Sequence, residues 1–385
     1  MRIRYLSLFS GIEACTVAWE TLGWEPVAFA QYEPGDRIQF TSQVLKYHYP
    51  DVPNLGDVTK ITEEQIRALG HIDLVVGGSP CQDLSLAGKR ASLRNEDGSL
   101  TRSGLFDYQL QIFEWARRNN GCRWLLWENV VGAFSSGKEV KGSDFAYILG
   151  SMVQRDVPVP GDGWCTSGIV TSSDWSRIVE WRVLDAQYFR GSPQRRRRVF
   201  ALLDSGPWWK RNPVLFESGC CERVPEKGEG KEQTASTKVA GCSGKDGVDD
   251  FRLIAEDTKE FEMESICYEN HPSDSRVNNI FDDVSPTLTT RPMNLPLVRD
   301  NFKGYRYIRT YTPEECEKLD GFPVGYTDVP CECSERAKTE FRFAALGNSM
   351  AVPVMRWIGS RIVEVLGNPI TEDTSEPMYW QPELF

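Results

Sequence analysis

Short apolar runs alternate with longer amphipathic stretches through about the first 205 residues of the chain. The apolar runs predict strands at residues 5–9, 26–30, 73–76, 124–127, 178–184 and 199–203. Helical periodicity between them predicts helices at residues 13–22, 37–47 and 105–117. This alternation is typical of an α/β protein whose sheet is largely parallel and covered by helices on both faces.

The pattern changes after about residue 205. Residues 222–247 are polar, rich in glycine and aperiodic, which indicates a loop or linker. Helical periodicity returns at residues 313–319 and 352–366, and the second of these stretches is amphipathic enough to pack on a sheet. We therefore predict a first domain of residues 1–204, completed by residues 336–385, and a smaller, irregular domain of residues 205–335.

Composition narrows the class of protein. The chain has 385 residues, of which 40% are hydrophobic and 26% charged, and no apolar run approaches the ~18 residues of a membrane span. The short apolar run at the N-terminus is broken by Glu13, so we expect an intracellular, cytoplasmic protein rather than a secreted one. Eleven cysteines, an odd number, indicate reduced thiols, and a net charge of -11 limits any nucleic-acid contact to local patches.

Two predicted strands end in residues suited to catalysis. Cys81 follows Pro80 just after one apolar strand, and Glu128 ends the next strand along the chain. Ligands and catalytic groups of open α/β sheets collect at the carboxyl ends of strands, where a thiol can act as a nucleophile and a carboxylic acid as a proton donor. Taken singly, the cysteine also fits a small buried thiol, and Glu128 fits a helix cap or a salt-bridged acid.

Weaker signals surround these two residues. Gly11, between a strand and a helix, lets backbone approach a ligand, and Glu33 follows the second strand, where an acid can bind ribose hydroxyls. Asp57 is a third candidate for an adenosine pocket. The run Pro193–Arg198 fits a solvated basic turn, yet it leads into a strand on which Arg196 and Arg198 share a face.

In this order the motifs closely resemble those of the DNA (cytosine-5)-methyltransferases. The matching segments read FSGIEA, AQYEP, GDV, GGSPCQDLSLAGKR, SGLF, WENV, PQRRRRVF, RYIRTYTPEECEKLDGFP and ALGNSMAVP. Residues 1–90 also resemble the branch of the family carried by phages and prophages. The resemblance implies a Rossmann-like sheet that binds S-adenosylmethionine, with a second, smaller, irregular domain for target recognition.

The resemblance also implies a mechanism. Cys81 would attack carbon 6 of a cytosine flipped out of the duplex, while Glu128 would hold and protonate ring nitrogen 3. Arg198 would contact the 2-carbonyl and Arg196 would support the site. Carbon 5 would then take the methyl group of S-adenosylmethionine, and loss of its proton would release the cysteine.

The same matching assigns the binding residues. The cofactor pocket would comprise Phe9, Ser10, Gly11, Glu33, Asp57, Val58, Pro80, Leu105, Asn348 and Ser349. The DNA contacts would include Gln82, Ser85, Lys89, Arg90 and Gln194. We predict no metal site, because the cysteine spacings fit no standard zinc finger.

Two residues depart from the family pattern. Glu13 stands where the family usually has a second glycine, which crowds the methionine end of the cofactor or adds an acid near its ammonium group. Pro34 stands where many members have an aromatic residue that stacks on adenine. Both departures concern cofactor affinity rather than the catalytic set.

The predicted partner is double-stranded DNA, and the protein is expected to act as a monomer. Whether a cognate restriction endonuclease accompanies it stays open, as do solitary and anti-restriction roles. One alternative is an RNA methyltransferase, although that branch tends to carry a second proline where this chain has Ser79. Another is a DNA-binding regulator without activity, although such degeneration usually removes the nucleophile or the acid.

The recognition domain is predicted to use few basic residues. Residues 205–303 carry more acidic than basic side chains, which is unexpected for a segment that reads DNA. We expect the phosphate contacts to come from a few members of one basic set while the acids face solvent. That set is Lys210, Arg211, Arg252, Arg276 and Arg291.

Overall fold

A mixed seven-stranded sheet with helices on both faces forms the body of the computed structural model. The structure describes residues 2–79, 102–137, 140–189, 191–192, 194–216, 266–268, 280–282, 285, 287–288, 297–302, 305–331 and 337–367. The strands of the sheet are β1 (Arg4–Leu8), β2 (Glu25–Ala30), β3 (Leu74–Gly77), β4 (Trp124–Val130), β5 (Ser167–Thr171), β6 (Ile178–Asp185) and β7 (Arg197–Asp204). The helices are α1 (Ala14–Trp19), α2 (Phe40–His48), α3 (Glu63–Ala68), α4 (Phe106–Asn120), α5 (Ser143–Val153), α6 (Pro313–Asp320), α7 (Thr339–Asn348) and α8 (Val352–Gly367).

The sheet has the strand order β2-β1-β3-β4-β7-β6-β5. The α/β class is confirmed, and the first four strands in this order are parallel. The pairs β4–β7, β7–β6 and β6–β5 are antiparallel, so the expectation of a largely parallel sheet holds for only half of the pairings. Residues 172–177 and 186–196 are too short for the crossover of a dozen or more residues that a parallel return needs.

Alternate residues of the central strands face two separate hydrophobic clusters. In β4, Trp124 and Leu126 pack into one cluster with α1, α6 and α8, while Leu125 and Trp127 pack into the other with α4 and α5. The same alternation holds for β3 and β7. The result is three layers, helix on sheet on helix, in which the sheet is buried on both faces and its strand ends are free to carry the site.

The helix ends explain several boundaries. The helix predicted at residues 13–22 is interrupted, because α1 stops at Trp19 and a tighter 3₁₀ turn continues to Leu22. Helix α6 begins with Pro313 after a capping box in which Thr312 and Glu315 bond each other's backbone. It ends at Gly321, whose φ of 82° is a left-handed conformation that favours glycine.

A second, four-stranded antiparallel sheet follows in the chain. It consists of β8 (Ile266–Tyr268), β9 (Ile280–Asp282), β10 (Leu297–Phe302) and β11 (Tyr305–Thr310), in the order β11-β10-β8-β9. On either side of this sheet in the sequence, Leu215 and the α6 residue Leu319 belong to the cluster formed with α1 and α8. Among the described residues, no helix is long and apolar enough to cross a membrane.

Candidate active site

The centre of the site is an ion pair between neighbouring strands. Because β4 and β7 are antiparallel, Glu128 lies opposite Phe200, and Arg198 lies opposite Val130 two residues along the same face. The Arg198 Nε lies 3.2 Å from the Glu128 Oε1, and the two side chains are only 18% and 12% exposed. Burial raises the pKa of Glu128, against the opposing effect of Arg198 and Arg196. This direction favours the protonated form that a proton donor needs.

The end of β3 lies directly against Glu128. A side chain at Gly78 would place its Cβ 2.7 Å from the Glu128 Oε2, so only glycine leaves the carboxyl in this position. The next residue, Ser79, accepts a hydrogen bond from the Trp127 Nε1 at 3.0 Å. The ends of β3 and β4 are thus held together where the chain enters the proline-cysteine motif. Pro80 and Cys81, and the predicted DNA contacts Gln82, Ser85, Lys89 and Arg90, lie outside the described residues.

A cavity at the carboxyl ends of β1, β3 and β4 adjoins this pair. Its lining residues are Ser7, Leu8, Phe9, Ser10, Gly11, Ala14, Cys15, Val76, Gly77, Gly78, Glu128, Asn348, Ser349 and Met350. The structure therefore brings the predicted cofactor residues Phe9, Ser10, Gly11, Asn348 and Ser349 together with Glu128. Gly11 has a φ of +57°, and no atom lies within 4 Å of the position that a Cβ would occupy there. A ligand can therefore approach the backbone at this residue. These features fit the methionine end of S-adenosylmethionine.

Four other predicted cofactor residues that the structure describes, Glu33, Asp57, Val58 and Leu105, lie beyond the lining of this cavity. Glu33 follows β2, and burial together with the nearby Asp36 raises the pKa of its carboxyl to about 7. Asp57 caps a 3₁₀ turn and accepts a hydrogen bond from the backbone N–H of Thr59 at 3.0 Å, and Val58 is buried in that turn. Leu105 precedes α4 and packs on the hydrophobic core.

Arg196, which lies just before β7, is bonded to the wall of the cavity. The side chain of Arg196 is buried, and so is most of the Arg198 side chain. Arg195 and Arg197 alternate with them along the chain and are exposed, which confirms the predicted alternation. The Arg196 Nη2 donates to the carbonyl oxygen of Gly347 at 2.9 Å and to that of Ser349. Arg196 therefore holds the turn after α7 that lines the cavity.

Comparison with known proteins agrees with this geometry. The sequence model of the family described as C-5 cytosine-specific DNA methylase matches residues 3–154. Residues 3–154 therefore carry a domain of this family. The family and enzyme class indicated by the motifs, DNA (cytosine-5)-methyltransferase, are thereby confirmed, as is S-adenosylmethionine, the cofactor of that class.

Curated relatives of this methylase come from bacteria and phages. The type II methyltransferase M.Sau3AI of Staphylococcus aureus is 23% identical over 97% of this chain and 98% of its own length. A DNA N-6-adenine-methyltransferase of Escherichia phage P1 is 28% identical over 94% of this chain, and the chain spans 61% of that protein's length. The chain also shares a fold with the crystal structure of S. pombe Dnmt2 methyltransferase, at a TM-score of 0.53 and 16% sequence identity. The superposed region covers 94% of this chain and 99% of the S. pombe chain.

Two buried residues of the methylase join its site to the segment after residue 280. Gln194 is fully buried, so the structure places this predicted DNA contact in the interior. With its amide assigned to satisfy both neighbours, its nitrogen donates to the Asp320 Oδ1 at 2.8 Å and its oxygen accepts from the Leu288 backbone N–H at 2.7 Å. Burial raises the pKa of Asp320 to about 7. Sequence reasoning missed Asp320, for which the only local signal is its place before Gly321 at the end of α6.

One predicted phosphate contact is wrong. Arg211 is 7% exposed, and its guanidinium bonds Asp204 at 2.7 Å and Glu180 at 2.6 Å. Two buried carboxylates hold this cation, so it is not available to DNA. Lys210 lies in the 3₁₀ turn just before it, whereas Arg252, Arg276 and Arg291 lie outside the described residues.

Proposed function

We propose that this methylase transfers a methyl group to carbon 5 of a cytosine in a short, specific duplex DNA sequence, through a covalent adduct with Cys81. The observation that carries the proposal is the buried Glu128–Arg198 pair, in which Glu128 lies against Gly78 and lines the cavity together with the FSG and GNS motifs. It supports a site where an uncharged ring is bound and protonated away from water.

Cys81, Glu128 and Arg198 each have a separate role in the proposed reaction. The Cys81 thiolate adds to carbon 6. The ring electrons shift toward nitrogen 3, which takes a proton from Glu128. Arg198, already beside Glu128, donates to the 2-carbonyl oxygen and stabilises the carboxylate that forms. Bound S-adenosylmethionine supplies the methyl group as an electrophile. A base then takes the carbon 5 proton, the double bond between carbons 5 and 6 re-forms as the thiolate leaves, and nitrogen 3 returns its proton to Glu128.

The remaining assignments are proposals of the same kind. Phe9, Ser10, Gly11, Asn348 and Ser349 would hold the methionine end of the cofactor, whereas Glu33 and Asp57 would hold its nucleoside. The small domain predicted at residues 205–335 would read the target, joined to the site through Gln194, and would act on DNA in the cytoplasm. We expect the protein to act as a monomer, with a partner endonuclease still open.

Covalent trapping tests the proposal directly. Fluorine at carbon 5 cannot leave as a proton does, so DNA amplified with 5-fluorodeoxycytidine triphosphate should hold the enzyme in a complex that resists denaturant when S-adenosylmethionine is present. We expect this complex with the wild type and with Cys165→Ser, since Cys165 is an exposed thiol far along the chain. Cys81→Ser should give none.

A second substrate separates DNA from RNA. Transcripts of the same sequence with 5-fluorocytidine should give no adduct if the substrate is DNA. Adduct on the transcripts alone would favour the RNA alternative. Adduct on neither nucleic acid, with cofactor still bound, would refute the covalent mechanism.

A further inference from the structure

Glu13 is a buried acid that the proposed reaction does not use. Its side chain is 1% exposed, and its Oε2 accepts a hydrogen bond from the Ser7 Oγ at 2.9 Å. Its Oε1 accepts no hydrogen bond among the described residues. The residue also has a left-handed backbone, with φ of +66°, where a side chain is strained. A buried carboxyl with an oxygen that lacks a donor is costly to ionise, so a positive charge nearby would stabilise its ionised form.

The unsatisfied carboxyl lies just behind the wall of the cofactor cavity. Ser7, whose hydroxyl donates to Glu13, lines that cavity, as does Ala14, the next residue of the chain. A serine that donates its only hydroxyl hydrogen inward presents oxygen lone pairs outward. The pair therefore offers the cavity an acceptor with a carboxyl group behind it.

We infer that Ser7 and Glu13 bind the ammonium group of the cofactor's methionine end, Ser7 in direct contact and Glu13 as the counter-charge behind it. The inference rests on S-adenosylmethionine as the cofactor and assigns Glu13 a positioning role. A cation at Ser7 stabilises the Glu13 carboxylate, and the Ser7 hydroxyl keeps donating its hydrogen to that carboxylate.

A proton accompanies this binding. In the free protein, burial raises the pKa of Glu13 to about 8, so at pH 7 the group is mainly a carboxylic acid. The titratable groups that face it are Tyr5 from β1, Cys15 from α1, Tyr49 after α2 and Tyr326 after α6, and burial raises the pKa of each. All four are neutral at pH 7. When the ammonium group arrives, Glu13 ionises and its proton passes to the buffer.

Calorimetry with two ligands tests the inference. S-adenosylhomocysteine carries the ammonium group, whereas 5′-methylthioadenosine has the same nucleoside without the amino acid. Titrations at pH 7 in phosphate and in Tris, which differ in ionisation enthalpy, should show nearly one more proton released per S-adenosylhomocysteine than per 5′-methylthioadenosine, because any proton that Glu33 loses at the ribose is common to both ligands. Glu13→Gln should abolish this difference and weaken S-adenosylhomocysteine roughly tenfold, the loss expected for a hydrogen bond to a charged group, with 5′-methylthioadenosine unchanged.

Matched variants make the outcome decisive. Glu20→Gln removes an exposed carboxyl on the turn after α1 and should behave as the wild type. Glu13→Gly removes the acid at a φ that glycine adopts without strain, so it should reproduce Glu13→Gln in a folded protein. Equal proton release by the two ligands with the wild type, or an unchanged affinity in both Glu13 variants, overturns the inference alone. Failure of the wild type to bind either ligand overturns the cofactor assignment as well.

Discussion

Substitution of Gly78 by alanine should move the catalytic acid without unfolding the protein. The added Cβ would lie 2.7 Å from the Glu128 Oε2 and 3.2 Å from the Met350 Cε. The first distance is roughly 0.7 Å short of ordinary carbon–oxygen contact, and both atoms are ends of flexible side chains that can give way. The carboxyl must therefore shift by most of an ångström away from Gly78, which disturbs its 3.2 Å contact with Arg198.

A shift of this size has a large expected effect on rate and a small one on stability. Misplacing a reacting group by about 1 Å costs on the order of 10²-fold in rate, so we expect Gly78→Ala to lose roughly that factor. Single-turnover transfer of radiolabelled methyl to DNA measures it, with thermal unfolding as the stability check. Gly161→Ala is the matched control, because no atom lies within 4 Å of a Cβ there. Wild-type turnover by folded Gly78→Ala would refute the assignment of Glu128.

Three further predictions use other buried charges. Arg211→Met leaves Glu180 and Asp204 short of a cation, so urea unfolding should show a loss of about 3 kcal/mol, and a loss below ~1 kcal/mol would argue against a tight network. If Glu33 binds the ribose as a carboxylate, its pKa of about 7 means that affinity for 5′-methylthioadenosine rises between pH 6 and 8, and Glu33→Gln should remove that rise. Folded Glu13 keeps a proton that the unfolded chain loses above pH 4.5, so wild-type stability falls relative to Glu13→Gln as pH rises toward 8. Melting curves should show that gap widen by several kcal/mol, about 1.4 per unit of pH, and a gap independent of pH would contradict the buried acid.

The sheet was largely predictable because buried strands are continuous apolar runs. Strand β4 nevertheless extends to Val130, three residues beyond the predicted end, because Glu128 and Asn129 are polar residues that continue the strand into the site. Helix α5 was missed because its sequence is apolar on most sides, so no polar face marks a helical period. Helix α7 was missed because the buried Arg342, paired with Glu317, interrupts its apolar face.

The strand ends at Phe9, Gly78 and Glu128 were predictable because each of these motifs follows an apolar run. Alternation into β7, where the arginine motif comes before the apolar run, was enough to place Arg196 and Arg198 on one face. The contacts that complete the site depend on packing between distant segments, as in the bond from Gln194 to Asp320 across 126 positions of sequence. The fate of Arg211 was unpredictable for the same reason, since its partners Glu180 and Asp204 are brought together only by the pairing of β6 and β7.

Nucleoside mass spectrometry of DNA from cells that express the protein tests the central claim most directly. The wild type should produce 5-methylcytosine in DNA lacking it beforehand, and Cys81→Ser, expressed to the same level, should produce none. The same spectrum records N6-methyladenine, the product named for the phage P1 relative. Methylated adenine without 5-methylcytosine, or 5-methylcytosine formed equally by Cys81→Ser, would contradict a cytosine-5 transfer through Cys81.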